Sequence, residues 1–177
     1  MNTQQRNLLV LIAIGGTSVL ASYVPAFTNN PELVAALWGG VPESLRAYYG
    51  PNMLLAAASF FPATLVLGFK TPADSFKEYT GLSFSALLAA YAAILIPSAL
   101  WLPLTAAYIE SPSGALWVAI RIDLILVALG ATALLYMLIQ RARKGPGWIW
   151  AAAGFFVFFW IQTAVLDATI WPSYYPH

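Results

Sequence analysis

The chain alternates long apolar runs with short polar segments. A helix of about 20 apolar residues crosses a hydrocarbon layer of about 30 Å, and five of the runs are that long. The pattern predicts an all-α membrane protein, a bundle of five transmembrane helices that forms a single domain over residues 1–177. The spans are predicted at about 8–24, 52–69, 82–104, 115–139 and 148–171.

The connection between the first two spans, Pro25–Pro51, is longer than a simple connector requires. It contains the segments PELVAALW (31–38) and PESLRAYY (42–49), and each begins with Pro-Glu, a favourable first helical turn. We expect either two short interfacial helices or one helix and a structured loop. In both cases the first loop is partly helical and covers one mouth of the bundle.

Composition restricts the possible functions. Of the 177 residues, 60% are hydrophobic and 8% charged, whereas soluble domains have about 25% charged residues. The net charge of +1 gives no basis for nucleic-acid binding, so membrane lipids are the expected surroundings. The chain has no cysteine, and its one histidine is His177, so neither a cysteine-based nor a bis-histidine metal or haem site is expected within the bundle.

Lysine and arginine are distributed unevenly between the two sides of the predicted bundle. The side that holds the N-terminus and the second and fourth loops carries Arg6, Lys70, Lys77, Arg141, Arg143 and Lys144, whereas the other side carries only Arg46 outside the spans. Basic residues favour the cytoplasmic side. The N-terminus is therefore predicted to be cytoplasmic and the C-terminus external.

Charged residues inside the spans are the strongest functional signal. Arg121 and Asp123 lie in the fourth span, and Asp167 lies at a similar predicted depth in the fifth. Such residues need a partner or a water-filled cavity. Because residues two apart diverge on a helix, Asp167 is the predicted partner of Arg121, and Asp123 is the poorer one.

Polar and aromatic side chains recur at helical spacing in the same half of the bundle. They predict a ligand pocket in the outer half, beneath the first loop; the alternative is a structural ion pair with the usual belt of interfacial aromatic residues. The predicted ligand-binding residues are Asn52, Tyr91, Ser98, Trp101, Trp117, Arg121, Asp123, Trp160, Thr163 and Asp167.

Catalytic chemistry has little support in the sequence. No nucleophile–base set, metal-ligand set or glycine-rich phosphate loop is present, so no cofactor or metal is expected. The pattern favours a protein that is not an enzyme. One enzymatic alternative stays open, a small lipid-modifying membrane enzyme that uses Asp123 and Asp167 as paired carboxylates.

The layout of five short spans, seven tryptophans and a long, partly helical first loop resembles the translocator protein family, the tryptophan-rich sensory proteins. Gly50-Pro51, Trp101-Leu102-Pro103 and Asp123-Leu124 are similar to motifs of that family, whereas the first loop has only Trp38 where the family is rich in tryptophan and proline. The resemblance implies a bound tetrapyrrole, sterol or other flat apolar ligand, and a homodimer. The alternative function is an accessory structural subunit of a larger membrane complex.

Overall fold

Helices make up the fold. The computed structural model describes residues 2–175, and no strand occurs among them. Five helices within this range are long and apolar enough to cross a membrane, which confirms the predicted all-α bundle. They are Thr3–Thr28, Glu43–Lys70, Phe84–Glu110, Gly114–Arg143 and Trp148–Tyr174.

The first helix, α1, runs from Thr3 to Asn29 and extends beyond both predicted ends of the first span. A capping box starts it: the Asn2 Oδ1 atom accepts a hydrogen bond from the Gln5 backbone N–H (2.9 Å), and the Gln5 side chain accepts one from the Asn2 N–H (3.2 Å). Pro25 lies inside α1 without ending it. Proline removes one backbone donor, a loss that membrane helices tolerate.

The first loop is shorter than predicted. Helix α2 spans Pro31–Ala36 and is capped by Asn30, whose Oδ1 accepts from the Leu33 N–H at 2.9 Å. The second Pro-Glu segment forms no separate interfacial helix, because it is the start of α3, which runs Glu43–Thr64 through Pro51 and continues as a π-helical segment, Leu65–Lys70. The second predicted span therefore begins at Glu43.

The remaining elements follow the predicted order. Helix α4 is Phe76–Thr80, and α5 and α6 are Phe84–Glu110 and Gly114–Arg143, started by the side-chain caps Ser83 and Ser113. Helix α7, Trp148–Trp160, continues as a second π-helical segment, Ile161–Ile170, and ends in α8, Trp171–Tyr174. We call Ile161–Ile170 the α7 π segment.

Each long helix packs against particular neighbours. Helix α5 packs along α6 and α1, α3 packs along α7, and α6 also contacts α7. The closest approach is at Gly130 of α6, where a built Cβ atom would lie 2.7 Å from the Ala90 carbonyl oxygen and 2.8 Å from Ile94 Cγ1. Ala90 and Ala93, small residues of α5, allow the two helices to approach this closely.

The two ends of the bundle differ in chemistry. At one end, which we call the basic end, α6 is tied to the second loop: the Arg141 Nε donates to Thr71 Oγ1 at 3.1 Å, its guanidinium lies 4.9 Å from the Tyr79 ring centroid, and Lys144 Nζ donates to the Glu78 carbonyl. We call the opposite end, which carries α2, the α2 end. The orientation of these ends in a membrane stays a prediction.

The distribution of basic residues predicts that the basic end is cytoplasmic and that the C-terminus is external. A fusion of green fluorescent protein after residue 177 should therefore be dark in a bacterial host, and an alkaline phosphatase fusion at the same place should be active. The same two reporters at the N-terminus serve as the control, where green fluorescence is expected. A fluorescent C-terminal fusion would contradict the prediction.

Candidate functional site

A cavity of about 440 Å³ lies at the α2 end, enclosed by parts of all five long helices and by α2. Most of its wall is apolar or aromatic, and its polar groups come from α3, α5, α6 and the α7 π segment. Its lining residues are Val19, Tyr23, Phe27, Val34, Leu37, Trp38, Tyr49, Met53, Ala56, Ala57, Ser98, Trp101, Asp123, Leu124, Val127, Phe159, Gln162, Thr163, Asp167 and Trp171.

A chain of hydrogen bonds crosses the polar side of the cavity. The Asn52 amide donates to Gln162 Oε1 at 2.9 Å, and the Gln162 amide donates to Asp167 Oδ1 at 2.8 Å. Residues five apart point about 140° away from each other on an α-helix. The wider turn of the π helix aligns positions i and i+5, so the α7 π segment is what allows Gln162 to reach Asp167.

Two other polar atoms at the cavity have no hydrogen-bond partner among residues 2–175. They are Asp123 Oδ2 and Trp101 Nε1. The Asp123 side chain is only 5% exposed, and an unsatisfied buried acceptor costs about 1–3 kcal/mol. The cavity therefore presents one acceptor and one donor whose pairing capacity the protein itself does not use.

The segment around α2 is fixed over the cavity by the C-terminal part of the chain. Trp171 Nε1 donates to the Leu37 carbonyl at 2.8 Å, and the Gly40 N–H donates to the Tyr174 carbonyl at 2.9 Å. Gly39, at φ +52°, allows the turn and leaves no room for a Cβ atom beside the Tyr175 ring. The predicted ordered cover is thus present, and the C-terminal residues form part of it.

Tyr175 also contacts the cover through its hydroxyl group. Burial, and to a lesser extent Tyr108, raises the pKa of the Tyr175 phenol above its ordinary value. The protonated hydroxyl donates a hydrogen bond to the Ala36 carbonyl at 3.3 Å.

The exposed part of the cavity wall belongs to α1 and α3. These helices pack on different neighbours, α1 on α5 and α3 on α7. Two lining residues on the facing helices are largely exposed, Phe27 of α1 at 63% and Met53 of α3 at 45%. We infer from these exposed residues that the cavity opens between α1 and α3.

The structure brings some of the predicted site residues together. Ser98, Trp101, Asp123, Thr163 and Asp167 line the cavity. Asn52 is connected to it through Gln162.

The other predicted residues lie elsewhere. Tyr91 is fully buried and its hydroxyl is 2.7 Å from Thr64 Oγ1, whereas Trp160 Nε1 donates to Thr132 Oγ1 at 3.0 Å. Trp117 packs in an aromatic cluster against Trp171 and Tyr175, with ring centroids 6.0 and 5.9 Å away. These contacts explain the three side chains without a ligand.

The predicted ion pair between Arg121 and Asp167 is absent from the described residues. Arg121 is partly exposed and does not line the cavity, and the carboxylate of Asp167 is bonded by Gln162 instead. An arginine on a partly exposed helix face can extend its guanidinium toward the membrane surface, which removes the need for a buried partner.

Gln162 is the functional candidate that the sequence argument missed. A lone amide in an apolar run is a sequence feature that indicates a functional residue. On an α-helix, however, Gln162 does not share the face of Thr163 and Asp167. The described residues contain no cluster of three or more His, Asp or Glu side chains that could hold a metal ion, and His177 lies outside them.

The chain was also compared with known proteins. No protein family model, curated protein or solved structure matches it. The resemblance to translocator proteins therefore stays a prediction.

Proposed function

We propose that this membrane protein binds a flat hydrophobic molecule in the cavity at the α2 end. The observation that carries the proposal is the cavity itself, about 440 Å³ in volume and enclosed by all five spans. Small-molecule sites have volumes of about 300–1,000 Å³, are mostly apolar and contain a few polar groups that orient the ligand. The cavity has all three properties.

Aromatic rings on the cavity wall support a flat ligand. Trp101 stacks on Tyr23 with ring centroids 6.3 Å apart, and lies edge-on to Trp171 at 5.9 Å. Such rings offer planar surfaces that pair well with fused rings. Because lipid is as apolar as the cavity, ring contacts and hydrogen bonds, more than the hydrophobic effect, would provide selectivity.

The resemblance to translocator proteins supports a sterol-like or tetrapyrrole ligand and a homodimer. The other hypotheses predict different results. An accessory subunit should co-purify with stoichiometric partners, and a lipid-modifying enzyme should lose turnover in an Asp123→Asn or Asp167→Asn variant that still binds its ligand.

Filling the cavity should weaken binding strongly. Ala56 is buried in the wall, at 4% exposure, so the change Ala56→Phe places a ring inside the cavity. Quenching of tryptophan fluorescence by dehydroergosterol and by octaethylporphyrin, a porphyrin without carboxyl groups, should saturate in the wild type and weaken at least about tenfold in the variant, the loss of about 1.4 kcal/mol of binding energy.

The matched control is Ala58→Phe, since Ala58 lies on the same helix but is exposed and does not line the cavity. It should leave the quenching curve unchanged. Equal quenching in both variants and the wild type would mean that the probes bind outside the cavity, and the proposal would be wrong. Helicity by circular dichroism checks that each variant is folded.

A further inference from the structure

The acidic residues of the cavity suggest more about the ligand. Asp123 projects from α6 into the wall, is 5% exposed, and keeps its Oδ2 atom without a hydrogen-bond partner among the described residues. A carboxylate in an apolar span needs a partner, and residues 2–175 supply none to this oxygen.

A second carboxylate lies in the same wall. Asp167 receives one hydrogen bond, from Gln162, on Oδ1. That bond comes from a neutral amide, so it satisfies an acceptor without neutralising a charge. Both acidic side chains thus face the cavity without a positively charged partner.

No basic residue lies beside them in the described part of the cavity wall. Among the described residues that line the cavity, none is Arg, Lys or His, and Arg121 is outside the lining. The remaining wall is rich in aromatic residues, including Tyr23, Trp101 and Trp171, whereas the Trp38 ring already has the Arg46 guanidinium 5.5 Å from its centroid. Aromatic faces attract organic cations, and the attraction grows when the cation is removed from water.

From this combination we infer that the cavity selects hydrophobic ammonium ions, molecules with a flat apolar body and a protonated or quaternary amine that lies next to Asp123. The inference rests on the proposed function and specifies its ligand class. The apolar body occupies the aromatic part of the wall. The positive charge provides the partner that Asp123 and Asp167 lack, and a protonated amine also donates a hydrogen bond to Asp123 Oδ2.

A pair of probes of equal shape tests the charge alone. Trimethyl(naphthalen-1-ylmethyl)ammonium carries a fixed positive charge, and 1-neopentylnaphthalene is its neutral carbon isostere. Binding is measured by isothermal titration calorimetry in detergent, and the Ala56→Phe variant, whose cavity is filled, measures partition into the micelles. The cation should bind at least about tenfold more tightly than the isostere.

Variants then assign the effect to the carboxylates. Asp123→Asn keeps the shape of the side chain and should weaken cation binding about tenfold or more while leaving the isostere unchanged. Asp167→Asn should act in the same direction. Glu110→Gln is the control, because Glu110 is an exposed carboxylate outside the cavity, and it should change neither probe.

The outcomes separate the two proposals. If the isostere binds as tightly as the cation, or if both Asn variants retain full cation affinity, the ammonium inference is wrong and the hydrophobic site remains. If neither probe binds the wild type more than the filled variant, the proposed function fails too. The comparison of the two probes on the wild type tests the ammonium inference even if a variant does not fold.

Discussion

Replacing Gly130 with leucine is expected to destabilise the bundle strongly. At this position a Cβ atom would lie 2.7 Å from the Ala90 carbonyl oxygen and 2.8 Å from Ile94 Cγ1. A backbone carbonyl in the middle of α5 cannot move without disturbing its helix. We expect a loss of about 3 kcal/mol, the upper part of the usual range for overpacking, measured as unfolding in mixed micelles.

The same substitution at Gly154 is the control. Gly154 also lies inside a long helix, α7, but nothing approaches its built Cβ within 4 Å. Gly154→Leu should be neutral or slightly stabilising, since glycine in a helix interior costs about 0.5–1 kcal/mol relative to alanine. Equal stability of the two variants would mean that α5 and α6 do not meet closely at Gly130.

A double-mutant cycle on Gln162 and Asp167 should show coupling. Gln162→Leu removes the donor to Asp167 Oδ1 and one partner of the Asn52 amide. We expect a destabilisation of about 1–3 kcal/mol for this single change, because it leaves a carboxylate oxygen unpaired. The double variant Gln162→Leu/Asp167→Leu should lose about 0.6 kcal/mol less stability than the sum of the two single variants. For the strongest hydrogen bonds of membrane proteins this difference reaches about 1.7 kcal/mol.

The cycle of Arg121→Leu with Asp167→Leu is its control. Because no ion pair joins these two residues in the structure, their effects should be additive. Coupling between Arg121 and Asp167, with additivity for Gln162 and Asp167, would contradict the observed hydrogen bonding.

The sequence was sufficient for the number, order and type of the helices, since apolar length is a direct requirement of the bilayer. The predicted helix boundaries were less accurate, because prolines are poor markers of helix ends in a membrane protein. The sequence predicts helix limits at Pro25 and Pro51, but α1 and α3 pass through these residues. A proline costs a helix one backbone donor, and in membrane helices neighbouring groups compensate for that loss.

The sequence predicts only part of the candidate site, because one of its helices departs from the α-helical period. Ser98 and Trp101 are three residues apart on an α-helix, so a period of 3.6 predicts that they share a face, and both line the cavity together with Asp123 of α6. The fifth span changes its period after Trp160, where the α7 π segment begins. An α-helical stripe therefore grouped Trp160 with the cavity and left out Gln162, because residue periodicity gives no sign of where a π turn starts.

The opening between α1 and α3 has a consequence for how the protein would meet its ligand. The exposed lining residues Phe27 and Met53 belong to apolar helices that are long enough to span a membrane, so a mouth at this place would be in contact with lipid. A compound would first dissolve in the bilayer and then diffuse within it to the site. The fraction of occupied sites would depend on the mole ratio of compound to lipid. The same total amount of compound would therefore occupy fewer sites as the quantity of membrane increases. Apparent affinities for this protein would then be properties of the ligand, the site and the lipid phase together, and a modest intrinsic affinity would suffice for a compound that the bilayer concentrates.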